Sequence, residues 1–224
     1  MAELLSAMRA VDDVPVCAVM HDGCDIYDID YPDNWHLYRS SEHLEMQRAL
    51  NLLYAMRPGE PFYGMIDDHT RPTIKGWSQA LASAAGSWRI ASAWNETNRH
   101  RLLRGAQRMR INCFAIGGSL ARTLGWVWPP QVIHLFGDDI WEDVGYELGI
   151  IRHEKAARMR SLLLRDGTLK PDENSKRLWR GTPYVTHDMS AYTAWRRNEW
   201  PELKERLKRV IPAECRNTDS ISVS

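Results

Sequence analysis

Several things are scarce in this chain, and each scarcity excludes something. The four cysteines, Cys17, Cys24, Cys113 and Cys215, form no CxxC pair. A zinc ribbon or a disulfide framework therefore has no support, and a reducing cytoplasm is the expected compartment. Net charge is absent, because 29 Lys+Arg balance 29 Asp+Glu. The surface as a whole is thus not built to attract a polyanion, although a local basic groove stays open. No apolar run approaches the roughly 18 residues of a membrane span. Residues 1–9 lack the basic start and apolar stretch of a signal peptide. No internal repeat is present.

What is there fits a soluble globular protein: 224 residues, 44% hydrophobic and 26% charged, enough to bury a real core. Apolar spacing predicts a helix over residues 2–11, with Leu4, Leu5, Met8 and Val11 on one side. A strand is expected over 16–20 and an irregular loop over 25–34. A helix capped by Ser40 or Ser41 should run to Met56, and a strand should cover 62–66. Further on, helices are expected over 74–85, 119–124 and 137–148, and strands over 88–94 and 111–116. Beyond Gly149, residues 154–165 read as a charged helix, 166–180 as a polar loop and 188–211 as an amphipathic helical region. The chain then reads as one domain over 1–211, helical from about 154, with a disordered Ser-, Asn- and Asp-rich tail over 212–224. Alternating strands and helices predict an α/β fold with a mostly parallel central sheet.

Chemistry concentrates at Phe62-Tyr63-Gly64-Met65-Ile66-Asp67-Asp68-His69-Thr70-Arg71-Pro72. A short apolar run ends in two acids and a histidine, groups that can hold a hard divalent cation. A polar turn at a strand end is the plainer reading. Gly117-Gly118 follows another predicted strand, and Gly137-Asp138-Asp139-Ile140-Trp141-Glu142-Asp143 opens a helix. Acids at a helix start are also favoured by the helix dipole alone. In parallel α/β sheets, ligands sit beyond the carboxyl ends of strands, so Asp67–His69 and Gly117–Gly118 are expected to line one crevice.

In this order the segments resemble the GT-A glycosyltransferases, above all the small bacterial and phage-type members related to family 2. The resemblance rests on Met65-Ile66-Asp67-Asp68-His69 with Pro72 and Gly76-Trp77. It continues through Ile116-Gly117-Gly118-Ser119-Leu120-Ala121-Arg122 and Gly125-Trp126 with Pro129-Pro130. Phe136-Gly137-Asp138-Asp139-Ile140-Trp141, Gly145 and Leu148-Gly149 complete it.

The resemblance implies a Rossmann-like GT-A domain that moves a sugar from a nucleotide-sugar donor to an acceptor hydroxyl, with inversion. The acceptor could be a glycan, a small molecule or a modified nucleic acid. Asp67, His69 or both would hold Mn²⁺ or Mg²⁺ at the donor diphosphate. Asp68 would be a third ligand or a contact to ribose or sugar. Gly117 and Gly118 would let backbone approach the sugar, and Asp22 would contact the nucleotide. Asp139 is the expected general base, with Asp138 its neighbouring alternative. Glu142 and Asp143 read as acids of the helix start. His153, or else His187, stands where the family often places a further histidine ligand. His69 stands where the family usually has a second carboxylate. In the family a first strand that seats the base precedes the first helix. The present chain opens within what looks like that helix, which implies an upstream start or a protein without that strand.

Two other functions stay open. One is a catalytically impaired relative that binds a sugar nucleotide or glycan. The other is a nucleic-acid-binding or nucleic-acid-modifying protein using Arg99, Arg101, Arg104, Arg108 and Arg110, a run that also suits a solvated face.

Overall fold

The computed structural model describes residues 2–22, 29–42, 44–67, 69–96, 111, 113–162 and 183–216. Helix α1 (Ala2–Ala10) buries Leu4, Leu5 and Met8, the stripe its spacing predicts. Strand β1 (Ala18–Asp22) pairs in parallel with β2 (His36–Ser40). The expected loop over 25–34 lies partly outside the described residues. Helix α2 (Met46–Met56) begins later than the serine caps suggest: the Ser40 hydroxyl accepts from the Glu42 N–H and closes a turn instead.

Strand β3 (Phe62–Met65) and the short β4 (Thr70–Pro72) flank the acidic turn. Helix α3 (Trp77–Ala85) is capped from afar, since Asp13 accepts from the Ser78 N–H at 3.0 Å and its hydroxyl at 2.6 Å. Strands β5 (Ile90–Asn95) and β6 (Phe114–Gly117) follow. Next come α4 (Gly118–Leu124), α5 (Gly137–Leu148) and the long β7 (Ile151–Ser161). Helices α6 (Pro183–Asn198) and α7 (Trp200–Val210) close the chain's main body.

The protein is α/β, but its main sheet is mixed. The order is β3-β6-β5-β7-β4, with β5/β7 parallel and the other three pairings antiparallel. The expectation of a mostly parallel sheet is thus corrected. Strand β6 lies between β3 and β5 and runs against both, a direction that strand–helix alternation does not encode. A second correction concerns the helix expected over 154–165: its residues 154–161 form most of β7, and 163–165 lie outside the described residues. Ala157, Met159 and Ser161 are buried while Arg158 and Arg160 are exposed, a period of two. A bulge between Ala93/Trp94 and Glu154/Arg158 interrupts that alternation and hides it in the sequence.

Two cores lie on the two faces of the sheet. Ile90, Phe114 and Ile116 pack with Leu120, Trp141, Trp195 and Leu207 of the helices on one face. Ala91, Ala93 and Ala115 pack with Leu4, Met8, Trp77 and Leu81 on the other. The expected tail is ordered at its start: Ala213–Cys215 forms a 3₁₀ turn whose Glu214 carbonyl accepts from Arg89 at 3.0 Å. Residues 217–224 lie outside the described residues. Cys17, Cys113 and Cys215 are free thiols. Among the described residues, no helix is long and apolar enough to cross a membrane.

Candidate functional site

A cavity of about 910 Å³ opens between β1 and β3, near the upper end of the usual 300–1,000 Å³ of ligand pockets. Its lining is mostly apolar. Its acids include Asp67, Asp138 and Asp139, which arrive from two distant segments.

Asp67 sits where β3 has just ended. Its Oδ1 accepts from the His69 N–H at 2.9 Å and from the Thr70 hydroxyl at 2.7 Å. Its carbonyl accepts from the Thr70 N–H at 3.2 Å. This self-bonded turn explains why Asp67 and Thr70 stand three apart, and it carries the chain into β4. Pro72 ends β4, an edge strand, where its missing N–H costs no ladder bond.

Asp138 and Asp139 occupy the first turn of α5. Phe136 enters that turn in the left-handed region at φ 62°, a conformation that costs a non-glycine residue about 1–3 kcal/mol. Gly137 is required there, because a Cβ would overlap the Trp128 indole. Trp128 is held in turn by α2: the Asn51 side-chain oxygen accepts from the Val127 and Trp128 N–H groups at 3.0 Å.

The other acids of α5 point elsewhere. Glu142 accepts from the Ile111 N–H at 3.0 Å. Asp143 accepts from the Tyr192 hydroxyl at 2.7 Å and pairs with Arg196. Burial opposes ionisation of Glu147, yet Lys204, Trp200 and Arg196 outweigh it and hold its carboxyl at about 2. Asp138 and Asp139 are therefore the acids of this helix that reach the cavity.

Asp188, which had no expected role beyond opening the helical region at 188–211, fixes the adjacent wall. It is fully buried. Its Oδ1 accepts from the Ile133 N–H at 2.9 Å, and its Oδ2 from His134 at 2.9 Å and Leu135 at 2.7 Å. Burial works against its charge, but these three N–H groups and His187 keep its pKa below the ordinary range. His134 and Leu135 then line the cavity. No local pattern in the sequence marks this clamp, because its partners are the backbone N–H groups of residues 133–135.

Other expected site residues fall outside this cavity. Gly117 and Gly118 do not line it. Antiparallel β6 carries Gly117 to the start of β3, opposite Phe62, away from Asp67. The expectation of one crevice for both turns is corrected accordingly. A Cβ on Gly117 would overlap the Ser87 backbone, and one on Gly118 the Glu60 backbone. These glycines let the protein's own chain approach closely.

His69 is absent from the cavity lining, and its carbonyl accepts from the Leu162 N–H at 2.8 Å. His153 lies on β7, its Nε2 2.8 Å from the Tyr146 hydroxyl. His187 bonds Asp188 through Nδ1 at 2.8 Å. The side chain of Asp22, Asp68 and the arginine run at 99–110 lie outside the described residues. Among the described residues, no three His, Cys, Asp or Glu side chains are grouped to hold a metal ion. Burial pushes the Cys17 thiol up to about 12, so this cavity residue is no thiolate nucleophile.

His153 gives a pH signature. Burial lowers its pKa to about 4, and Nδ1 is buried without a hydrogen-bond partner. The unfolded chain takes up this proton below about pH 6.5, whereas the folded protein resists until about 4. The unfolded state binds more protons in that window, so stability should fall as pH drops from 6.5 towards 4. Urea unfolding of His153→Gln should show a shallower fall over the window than the parent. An equal fall would assign the acid sensitivity elsewhere.

Compared with known proteins, the chain matches no family model and no curated protein.

Proposed function

We propose that the protein is a metal-dependent glycosyltransferase with a GT-A-like domain. It would transfer a sugar from a nucleotide-sugar donor to an acceptor hydroxyl with inversion. The observation that carries this reading is the meeting of Asp67, at the end of β3, with Asp138 and Asp139, at the start of α5, on one cavity of ligand size. Carboxylates are hard oxygen donors suited to Mn²⁺ or Mg²⁺. Mg²⁺ sites commonly use one or two carboxylates plus substrate phosphates, so Asp67 fits such a role without a three-ligand cage. Asp68 and His69 remain candidates beside it. A cation there would offset the charge that grows on the leaving diphosphate. Asp139 would take the proton of the acceptor hydroxyl, with Asp138 the alternative. The turn around Asp67 and the glycine-seated start of α5 hold these carboxylates in place.

The second reading is a relative that binds a sugar nucleotide or glycan without transfer. It is favoured by Gly117 and Gly118, whose open sides are filled by the protein's own backbone.

Thermal shift with UDP-, GDP- and dTDP-sugars, with and without Mn²⁺, separates the readings. Stabilisation by one donor that depends on the metal, together with sugar transfer or hydrolysis, is the expected result. Stabilisation without turnover would support the binding relative. No response to any nucleotide, alongside salt-sensitive DNA binding, would overturn both.

A further inference from the structure

Helix α5 does not cover its face of the sheet evenly. It begins over β6, where the Trp141 ring lies 6.4 Å from that of Phe114 and Glu142 accepts from the Ile111 N–H. It ends over β7, where Gly145 packs against Ile151 and Tyr146 meets His153. With β5 between those two strands, the helix crosses the sheet obliquely. It leaves the far ends of β5 and β7 uncovered on this face.

That corner is basic. Beyond the bulge, Ala157 and Met159 turn into the core of α1 and α3. Arg158 and Arg160 therefore stand on the α5 side, and both are exposed. Two residues of strand separate them by about 6.7 Å. Trp94 pairs with Arg158 across β5 and β7 and shares its face. The Lys155 Nζ lies 5.7 Å from the centre of the Trp94 ring. Among the described residues, no acid pairs with Arg158, Arg160 or Lys155. Arg71, opposite Arg160 on β4, is already held by Glu3 at 2.8 Å.

Trp94 is out of pattern. Among the described residues, every other tryptophan packs in or against one of the two cores, and Trp94 packs in neither. It stays half-buried, with an exposed lysine over its ring. A base stacked on an aromatic ring is held more strongly than an exposed ammonium above it. Lys155 can thus yield the ring to a base and turn to a phosphate.

None of Trp94, Lys155, Arg158 and Arg160 lines the cavity, yet they lie at the same end of the sheet as its acids. The Ala93 N–H donates to Cys113, which sets Ile111 near the end of β5. Glu142 reaches Ile111, and Asp138 and Asp139 precede it by one turn of α5. From β6 to β7 is two strand spacings, about 10 Å.

We propose that this corner holds the backbone of a single-stranded nucleic acid, one nucleotide of which presents the acceptor hydroxyl to Asp139. The acceptor role rests on the transferase reading above; the binding does not. Arg158 and Arg160 grip neighbouring phosphates with their planar donors. Lys155 meets a third, and Trp94 stacks a base. The chain has no net charge, so the attraction is confined to this corner. Neither a lipid bilayer nor a phosphorylated glycan offers a flat ring to Trp94.

Fluorescence anisotropy of the full chain with a labelled oligothymidine of about twelve nucleotides tests the proposal. Affinity should fall as salt rises. In Arg158→Ser/Arg160→Ser the slope of log K against log salt should shrink by about 1.4, two phosphate contacts at about 0.7 each. Trp94→Ala should bind about tenfold or more weakly with the slope unchanged, and Trp94→Tyr, which keeps a ring, should recover most of the loss. Arg206→Ser/Arg209→Ser removes the same charge from exposed positions of α7 and should match the parent. No binding of the oligonucleotide, an equal loss in the α7 variant, or equally tight binding of an abasic oligomer would overturn the proposal. So would binding confined to phosphatidylserine vesicles. Donor thermal shift is read separately. Oligonucleotide binding at this corner without any donor response would retire the transferase reading and keep the binding site. A donor response without oligonucleotide binding would overturn the site and keep the transferase.

Discussion

Replacing Asp139 by Asn is expected to lower the rate of sugar transfer by about 10²–10⁴, the usual contribution of a general base. Donor-dependent stabilisation should persist, because the substitution keeps the size of the side chain and leaves Asp67 untouched. The carboxylate lies in the first turn of α5, on the cavity that also holds Asp67. Its placement depends on Phe136 and on the close approach of Gly137 to Trp128, neither of which the substitution disturbs. The measurement is kcat for transfer beside a donor titration with Mn²⁺. Retained transfer in Asp139→Asn with a loss in Asp138→Asn would exchange the roles of the two acids. Loss of donor binding together with transfer would make Asp139 a binding group rather than the base.

Replacing Asp188 by Ala should produce the largest loss of stability of any single polar substitution near the cavity. Three backbone N–H groups, of Ile133, His134 and Leu135, would lose their acceptor. Each unsatisfied buried group costs about 1–3 kcal/mol, so a loss of about 3 kcal/mol or more is expected. For a chain of this size each kcal/mol lowers Tm by about 2–4 °C, which gives a drop of roughly 6–12 °C. Asp188→Asn keeps one side-chain acceptor and should fall between the two. A calorimetric Tm within about 2 °C of the parent would show that the clamp contributes little. The stability from the ionised clamp is present above the ordinary aspartate pKa and fades as pH falls through the lower folded value.

The sequence made α1, β3 and α5 plain because each pattern is local. Leu4, Leu5 and Met8 repeat at helical spacing, Phe62 to Met65 is bounded by proline and acid, and Gly149 ends α5 in the left-handed conformation that glycine tolerates. Strand direction was not legible, since nothing in Phe114 to Gly117 records that its neighbours run the other way. Strand β7 was hidden by its bulge, which places Lys155 and Ala156 out of step with Ala157 and Met159. At the candidate site, Asp67, Asp138 and Asp139 were singled out by the order of motifs, and the structure sets all three on one cavity. The clamp at Asp188 was not, because its partners are backbone N–H groups more than fifty residues away, and any residue except proline could supply them.

Helix α5 is also gripped from behind. Arg196 of α6 reaches both Asp143 and Glu147, and Lys204 of α7 meets Glu147 at 2.9 Å. The C-terminal helices therefore act as a brace for the wall that presents Asp138 and Asp139. A shortened protein ending before Pro183 would keep both acids in its sequence while losing Asp188, Arg196 and Lys204 together. Inactivity in such a fragment would be a statement about bracing, and the residues that perform chemistry have to be identified in the intact chain.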